Sequence, residues 1–415
     1  SQTRRDPGAG AHSRSASGRT RRRVNVTPLT LHSSRAVRDA LRSHGWEEAL
    51  AGNAAAGIHT SAFHLTGLDQ GALEALVPFA GGLGLEVLTG ESWAILAGSR
   101  SRLSALARPW SVPAALAQVA AGIGLALPAD TPTQWTTARG SVALDHPVIL
   151  GILNVTPDSF SDGGRFTGVD AALKHAESLL RDGAAIIDVG GESTRPGRTE
   201  AVALEEEIRR VVPCVEALVR EYPTLLLSVD TVKAAVARAA LGAGAAIVND
   251  VSAMRLDSGM AATVAAAGAG VILMHSRGSI LEIASYTHAD YSGDVVGAVV
   301  SELRAALTQA AVAGIAPEAI AVDPGFGFSK KVEQNMELLD QLAALQALGR
   351  PVLVGPSRKR FLGSAANLPL EDRDRATAAA CALAYERGAR LFRVHAVAAV
   401  RETLALVQAV GEPAS

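Results

Sequence analysis

The chain has 415 residues, 48% of them apolar and 19% charged, with 40 glycines and only 4% aromatics. That length exceeds one average domain and fits two, or a barrel with an extension, and the glycine-rich, aromatic-poor balance suits tight βα turns with aliphatic packing. The formal net charge of −2 gives no reason to expect a nucleic-acid partner, and Cys214 and Cys381 are too far apart in sequence for a disulfide framework or a C-x-x-C metal site, which points to a reducing, cytoplasmic setting. No uninterrupted apolar run reaches about eighteen residues, so no membrane span is expected.

Residues 1–23 carry seven arginines and one acid, Asp6, among serines and glycines, and are expected to form a disordered basic tail. A transit peptide shares that composition, but no apolar face accompanies the charges here. Residues 24–129 read as a small α/β domain. Val24–Leu31 alternates like a strand. Ser34–His44 reads as a helix, capped by Ser34, with Ala36, Val37 and Leu41 on one face. A strand (Thr60–Leu65), a helix (Gly71–Gly81), two strands (Gly84–Leu88 and Ser92–Ala97) and a helix (Ser99–Ala107) follow, with Leu103, Leu116 and Ile123 available to pack them. This unit has no paired carboxylates, nucleophile or phosphate loop. Its scattered His32, His59 and His64 read as ordinary surface or core residues. Residues 130–146 read as a linker opening on Asp130-Thr131-Pro132, then a β-hairpin over Trp135–Leu144 centred on Arg139-Gly140.

Over 147–415 the pattern changes. Eight short apolar runs recur: Val148–Leu153, Ala185–Val189, Thr224–Val229, Ala245–Val248, Gly270–Met274, Ala319–Val322, Pro351–Val354 and Arg390–Val394. Amphipathic stretches such as Val169–Arg181, Leu204–Glu221 and Asp372–Glu386 lie between them. Near-continuous apolar strands indicate burial on both faces, as in parallel sheets. Eight strands alternating with helices match a (β/α)8 TIM barrel in count and size; a doubly wound sheet is the structural alternative. The predicted fold class is therefore α/β, a TIM barrel preceded by a small α/β domain and a basic tail.

Almost every predicted barrel strand ends in polar residues, where this fold places its chemistry. They are Asn154, Asp188, Asp230, Asn249-Asp250, Met274-His275, Asp323, Ser357-Arg358-Lys359, and Arg393 with His395. Helix capping is the ordinary explanation for Asp250, Ser252 and Asp257. For the rest, convergence on one pocket explains more. Asp230, Asn249 and Asp323 between them accept and donate, which suits a flat heterocycle with ring N–H groups. Arg393, His395 and Arg195 supply donors for an anion. Asn154 and Asp230 are hard oxygen donors of the kind Mg²⁺ takes alongside substrate phosphates, and no Cys/His cluster offers a zinc site.

At these positions the chain resembles the dihydropteroate synthases. Gly151-Ile152-Leu153-Asn154-Val155-Thr156-Pro157-Asp158-Ser159-Phe160-Ser161-Asp162-Gly163-Gly164 is close to the family's first signature, and the segment from Asp188 to Gly197 is similar to its second. Ser228-Val229-Asp230-Thr231, Asn249-Asp250-Val251, Asp323-Pro324-Gly325-Phe326-Gly327-Phe328, Ser357-Arg358-Lys359 and Arg393-Val394-His395 follow in family order, so the similarity spans about residues 133–410. It implies transfer of a pterinylmethyl group from 6-hydroxymethyl-7,8-dihydropterin diphosphate to 4-aminobenzoate, in folate biosynthesis. It also implies Mg²⁺ on Asn154 and Asp230, and the diphosphate on Arg393 and His395, with Arg393 able to stack on the ring. Asp230, Asn249, Asp323 and Lys359 would bond the pterin edge, and Met274 and Val251 would line its faces. Phe160, Thr194, Pro196, Phe328 and Ser357 would form the aminobenzoate site. Asp162 and Arg195, on two long loops, would join Asp323 and Lys359 in catalysis. The resemblance further implies a homodimer with small-molecule substrates only.

The chain departs from the family pattern at Ala396, where an acid that could orient His395 often stands, at Pro356, and in the middle of Met274-His275-Ser276-Arg277-Gly278. Two rival readings are a pterin-dependent methyltransferase, which would lack the Arg393/His395 anion site, and a non-catalytic pterin-binding protein, which would lack the two loops.

Overall fold

The structure, a computed structural model, describes residues 47, 50, 60–127, 132–137, 139–156, 165–192 and 200–411. The expected basic tail, the strand Val24–Leu31 and the helix Ser34–His44 lie outside the described residues.

The chain enters a three-stranded antiparallel sheet built from β1 (Thr60–Thr66), β2 (Glu86–Thr89) and β3 (Trp93–Ser99), with β3 in the middle. Helix α1 (Gln70–Gly82) starts where the Asp69 carboxylate accepts the Ala72 N–H at 2.7 Å, an N-cap that satisfies one of the orphan donors of the first turn. Helices α2 (Arg100–Leu106) and α3 (Ala117–Ala126) complete one hydrophobic cluster with it, in which Leu76, Leu96, Leu103, Leu116 and Ile123 are buried. Helix α3 is an addition to the sequence reading. Gly122 and Gly124 lower its intrinsic helix propensity, and burial of Val119, Ala120 and Ile123 overrides that cost.

A hairpin, β4 (Gln134–Thr137) and β5 (Gly140–Ala143), closes the floor of the next unit. Trp135 is fully buried, donates its indole N–H to the Ala319 carbonyl at 2.9 Å, and packs with Leu150, Ile186, Ile272, Leu353 and Leu391. These residues lie near the starts of strands, so the hairpin plugs the end of the barrel opposite the polar rim.

The barrel strands are β6 (Val148–Asn154), β7 (Ile186–Gly190), β8 (Leu226–Asp230), β9 (Ile247–Asp250), β10 (Gly270–Met274), β11 (Ile320–Asp323), β12 (Leu353–Val354) and β13 (Leu391–Val394). All pair in parallel, in the spatial order β11-β10-β9-β8-β7-β6-β13-β12. The ring closes between β11 and β12 through one parallel bridge, Val322 to Val352, with the Val322 N–H bonded to the Pro351 carbonyl at 2.9 Å. Around it lie α4 (Arg165–Asp182), α5 (Leu204–Glu221), α6 (Ala234–Ala243), α7 (Met260–Ala267), α8 (Val295–Val312), α9 (Val332–Asp340), α10 (Arg360–Ala366), α11 (Asp374–Glu386) and α12 (Val397–Gly411). The expected (β/α)8 barrel is thus present. Helix α8 is long and apolar enough to cross a bilayer by length and composition, but Val295, Val299 and Leu303 are buried against the barrel wall.

Side-chain alternation sets the interior. In β7, Ile186 joins the floor cluster while Ile187 and Val189 join the helix layer; in β13, Leu391 points to the floor while Phe392 and Val394 face outward. Period two therefore brings Asp188, one step above Ile186, and Arg393, one step above Leu391, into the lumen.

Candidate active site

Asn154, Asp188, Asp230, Asn249, Asp323 and Arg393 all lie at or near the carboxyl ends of their strands, so the rim gathers them as the sequence predicts. Phe160, Asp162, Thr194, Arg195 and Pro196 lie outside the described residues.

Arg393 organises the centre. Its Nε donates to Asp188 Oδ2 at 2.5 Å and its Nη2 to Asp230 Oδ2 at 2.6 Å, bridging two strands. The same Asp188 oxygen accepts from Asn249 Nδ2 at 3.3 Å. Asp188 is fully buried, and a buried carboxylate needs such a partner. Its Oδ1, and Ser228 Oγ on the facing register position of β8, are buried with no partner among the described residues. Burial pushes the Asp230 carboxyl up, to about 7, against the pull of Arg393. Asp188, expected on the rim but given no role from the sequence, takes its place in the lumen by strand parity.

Across the lumen, Asp323 accepts the Gly325 N–H on Oδ1 at 2.7 Å, and burial pushes its carboxyl up, to about 6. The turn that follows needs its glycines. At Gly325 (φ +70°) a Cβ would sit 2.0 Å from the His275 carbonyl oxygen; at Gly327 (φ +75°) it would sit 2.8 Å from Lys359 Cδ. Lys359 lays its ammonium 3.6 Å from the centre of the Phe328 ring, and burial with Arg393 nearby lowers its pKa to about 8. The preceding residue explains why Lys359 turns inward. Arg358 adopts a left-handed conformation (φ 56°), sends its guanidinium to Asp374 at 2.7 and 2.8 Å, and donates its backbone N–H to Thr377.

Ser357 Oγ stands 2.9 Å from His395 Nδ1. Val251, Met274 and Phe328 are buried in one apolar cluster with Val232 and Ile283. Asn154 Oδ1 and Asp230 Oδ2 lie 3.5 and 3.8 Å from the point where a Cβ on Gly190 would sit, so the missing side chain leaves room between two oxygen donors. No group of three or more His, Cys, Asp or Glu among the described residues could hold a metal unaided. Asp250 and Asp257 are the caps that ordinary reasoning expects: Asp250 accepts from the Ser252 and Met254 amides, and Asp257 from those of Ala234 and Gly259.

Two buried ionic clusters were not read from the sequence, and one of them takes His275, expected on the pocket rim, into the wall instead, because its ring bonds Lys330 and Glu302 there. Lys233 binds Glu192 at 2.6 Å, Glu207 at 2.5 Å and the Val202 carbonyl at 2.9 Å, tying together the residues that flank 193–199. Lys330 and His275 form the other, behind Asp323.

The barrel and its rim define a pterin-binding enzyme: the family described as "Pterin binding enzyme" matches residues 150–395. A dihydropteroate synthase of Synechocystis sp. is 44% identical over 263 residues, covering 63% of this chain and 89% of the relative. The solved Xanthomonas albilineans dihydropteroate synthase with 4-aminobenzoic acid is 46% identical with a TM-score of 0.62, covering 68% of this chain and 98% of that one. The same organism's enzyme in complex with 7,8-dihydropteroate is 44% identical with a TM-score of 0.59, covering 67% and 98%. The chain belongs to the dihydropteroate synthase family. Its activity is that family's transfer of a pterinylmethyl group to 4-aminobenzoate in folate biosynthesis.

Proposed function

We propose that the rim pocket performs this condensation with Asp230, Asn249, Asp323 and Lys359 on the pterin edge, Met274 and Val251 on its faces, and Arg393 and His395 on the diphosphate. The observation that carries the reading is the pairing of buried acceptors with buried donors in one lumen. With pKa values of about 6 and about 8, Asp323 is mainly a carboxylate and Lys359 mainly an ammonium between those limits, an acceptor and a donor for a heterocycle edge. Asp188 Oδ1, without a partner among the described residues, is a further acceptor. The fork of Arg393 is oriented by Asp188 and Asp230 before any ligand arrives, which lowers the cost of ordering it.

Asn154 and Asp230 would hold Mg²⁺ as two hard oxygen donors beside the open side of Gly190. When bound, the ion stabilises negative charge on the departing diphosphate. The protein's own groups hold the pterin in line and offset positive character on its methylene through Asp323 and Asp230. The aromatic amine is a neutral nucleophile near pH 7, so no strong base is needed and positioning dominates. We assign Phe328 and Ser357, with Phe160, Thr194 and Pro196, to the aminobenzoate, and Asp162 and Arg195 to catalysis.

The proposal includes a homodimer, supported by exposed Leu383 on α11 and Leu406 and Val410 on α12. It also includes a cytoplasmic setting, supported by two free, buried thiols. Residues 24–129 act as a separate domain, supported by the independent core of the described part. The site assignment is tested by calorimetric binding of the pterin diphosphate to Asp323→Asn and Lys359→Met. Each should weaken binding ten- to a hundredfold. Affinity equal to the wild type in both would refute it.

A further inference from the structure

The wall behind Asp323 hides a second charged row. Lys330 is 1% exposed, and its ammonium lies 3.0 Å from His275 Nδ1, 3.1 Å from the Gly325 carbonyl and 3.1 Å from the Phe328 carbonyl. His275 is 3% exposed and its Nε2 lies 3.0 Å from Glu302 Oε2, on α8. Glu302 in turn pairs with Arg277, whose guanidinium sits 4.0 Å from the centre of the Tyr291 ring. Desolvation lowers the His275 pKa to about 4, so the ring is neutral near pH 7. A neutral ring between these partners has one arrangement that satisfies both nitrogens: Nδ1 accepts from Lys330 and Nε2–H donates to Glu302.

We propose that Lys330 is a positioning residue for the transfer reaction, fastening the Gly325–Phe328 turn to the end of β10 and so aiming Asp323 and Phe328 into the pocket, with His275 as the acceptor that fixes it. An ammonium buried this deeply is costly unless its bonds are used, and here all three partners belong to the segments that frame the pterin edge. Lys330 also faces Asp323 electrostatically, together with Lys359 from the turn after β12, Arg393 on β13 and the Gly325 N–H. Burial lowers the Lys330 pKa to about 7, while Asp323 and Glu302 act to keep its proton and Arg277 and Lys359 act against it.

The inference rests on Asp323 binding the pterin, and the test separates the two. Calorimetric affinity for 6-hydroxymethyl-7,8-dihydropterin diphosphate is measured across the acidic limb of binding for Lys330→Met, His275→Gln, His275→Asn and Asp323→Asn. Lys330→Met should weaken binding about tenfold and move the limb to higher pH, because Asp323 loses a facing cation. A glutamine at 275 reaches the Nε2 position but offers nothing at Nδ1, and should shift the limb in the same direction. An asparagine there places an oxygen at the Nδ1 position, and should stay near the wild type. A lowered melting temperature with an unmoved limb in Lys330→Met would overturn the proposal. If that variant fails to fold, the histidine pair decides: equal behaviour of the glutamine and asparagine variants overturns it. Wild-type affinity in Asp323→Asn would remove the site reading itself and this inference with it.

Discussion

Ser357 holds His395 from two directions: its Oγ lies 2.9 Å from the ring Nδ1 and accepts the His395 backbone N–H at 3.2 Å. The family position that could supply an orienting acid is Ala396, and here the hydroxyl of a residue 38 positions earlier touches the ring instead. Ser357→Ala should therefore remove one of the contacts that orient the imidazole and lower catalytic efficiency toward the pterin diphosphate about tenfold, on the order of 1.4 kcal/mol. Steady-state kinetics with the pterin diphosphate varied will show this. An effect confined to the Michaelis constant for the aromatic amine would place Ser357 on the aminobenzoate side alone.

Pterin binding should be strongest between about pH 6 and about pH 8. Asp323, raised to about 6, is ionised only above that value, and Lys359, lowered to about 8, is charged only below its own. Affinity should thus fall on both sides of the window. Calorimetry in matched buffers tests it, and a flat profile across both limits would contradict the assignment.

Asp323→Asn should be more stable than the wild type while losing activity. The folded-state pKa of Asp323 lies above its ordinary 3.8, so the folded protein binds more protons between 3.8 and about 6, and its stability falls as pH rises through that window. Above it the cost of the charge is fully present. An uncharged amide avoids that cost, and denaturant unfolding near pH 7.5 should show a gain on the order of 1–3 kcal/mol. A loss of stability would mean that the neighbouring cations depend on the carboxylate more than burial penalises it.

Arg393→Ala leaves Asp188 and Asp230 buried without their cation, so it should cost about 3–5 kcal/mol of stability as well as affinity. Arg393→Lys keeps the charge but cannot span both carboxylates as a fork. The lysine variant should fold and lose ten- to a hundredfold in affinity for the pterin diphosphate, with a smaller loss for the free hydroxymethyl pterin. Equal losses for the two ligands would assign Arg393 to the ring instead of the phosphate.

A chain shortened to begin at Asp130 should keep synthase activity, because every proposed site residue lies beyond it and the first sheet has its own core. Trp135→Ala in the full chain should instead cost about 3–5 kcal/mol through the emptied floor of the barrel. Turnover lost in a folded shortened chain would show that the preceding residues complete the site.

The strands and the hairpin were legible because each is written in a local period. Val148–Asn154, Gly270–Met274 and the hairpin Gln134–Ala143 differ from the sequence reading by at most a residue at an end. The rim was legible because polar residues stop apolar runs. The partnerships were not. Arg393 meets Asp188 across 205 residues and Lys330 meets His275 across 55, and no local periodicity encodes a contact between residues so far apart in the chain. Lys330 follows a turn, yet His275 and the Gly325 and Phe328 carbonyls hold its ammonium in the interior.

The seam of the barrel has a consequence for the ligand itself. Strands β11 and β12 meet through a single bridge, and the two groups proposed to grip the pterin edge stand on opposite lips of that gap: Asp323 ends β11, and Lys359 follows β12. A bound pterin would serve as the rung that the backbone omits. Substrate then acts as a structural rivet, lending the ring roughly 2.7 kcal/mol at a hundredfold excess over Kd. Amide exchange at Val322 and Leu353 should slow in the pterin complex more than exchange at the fully laddered β7 and β8.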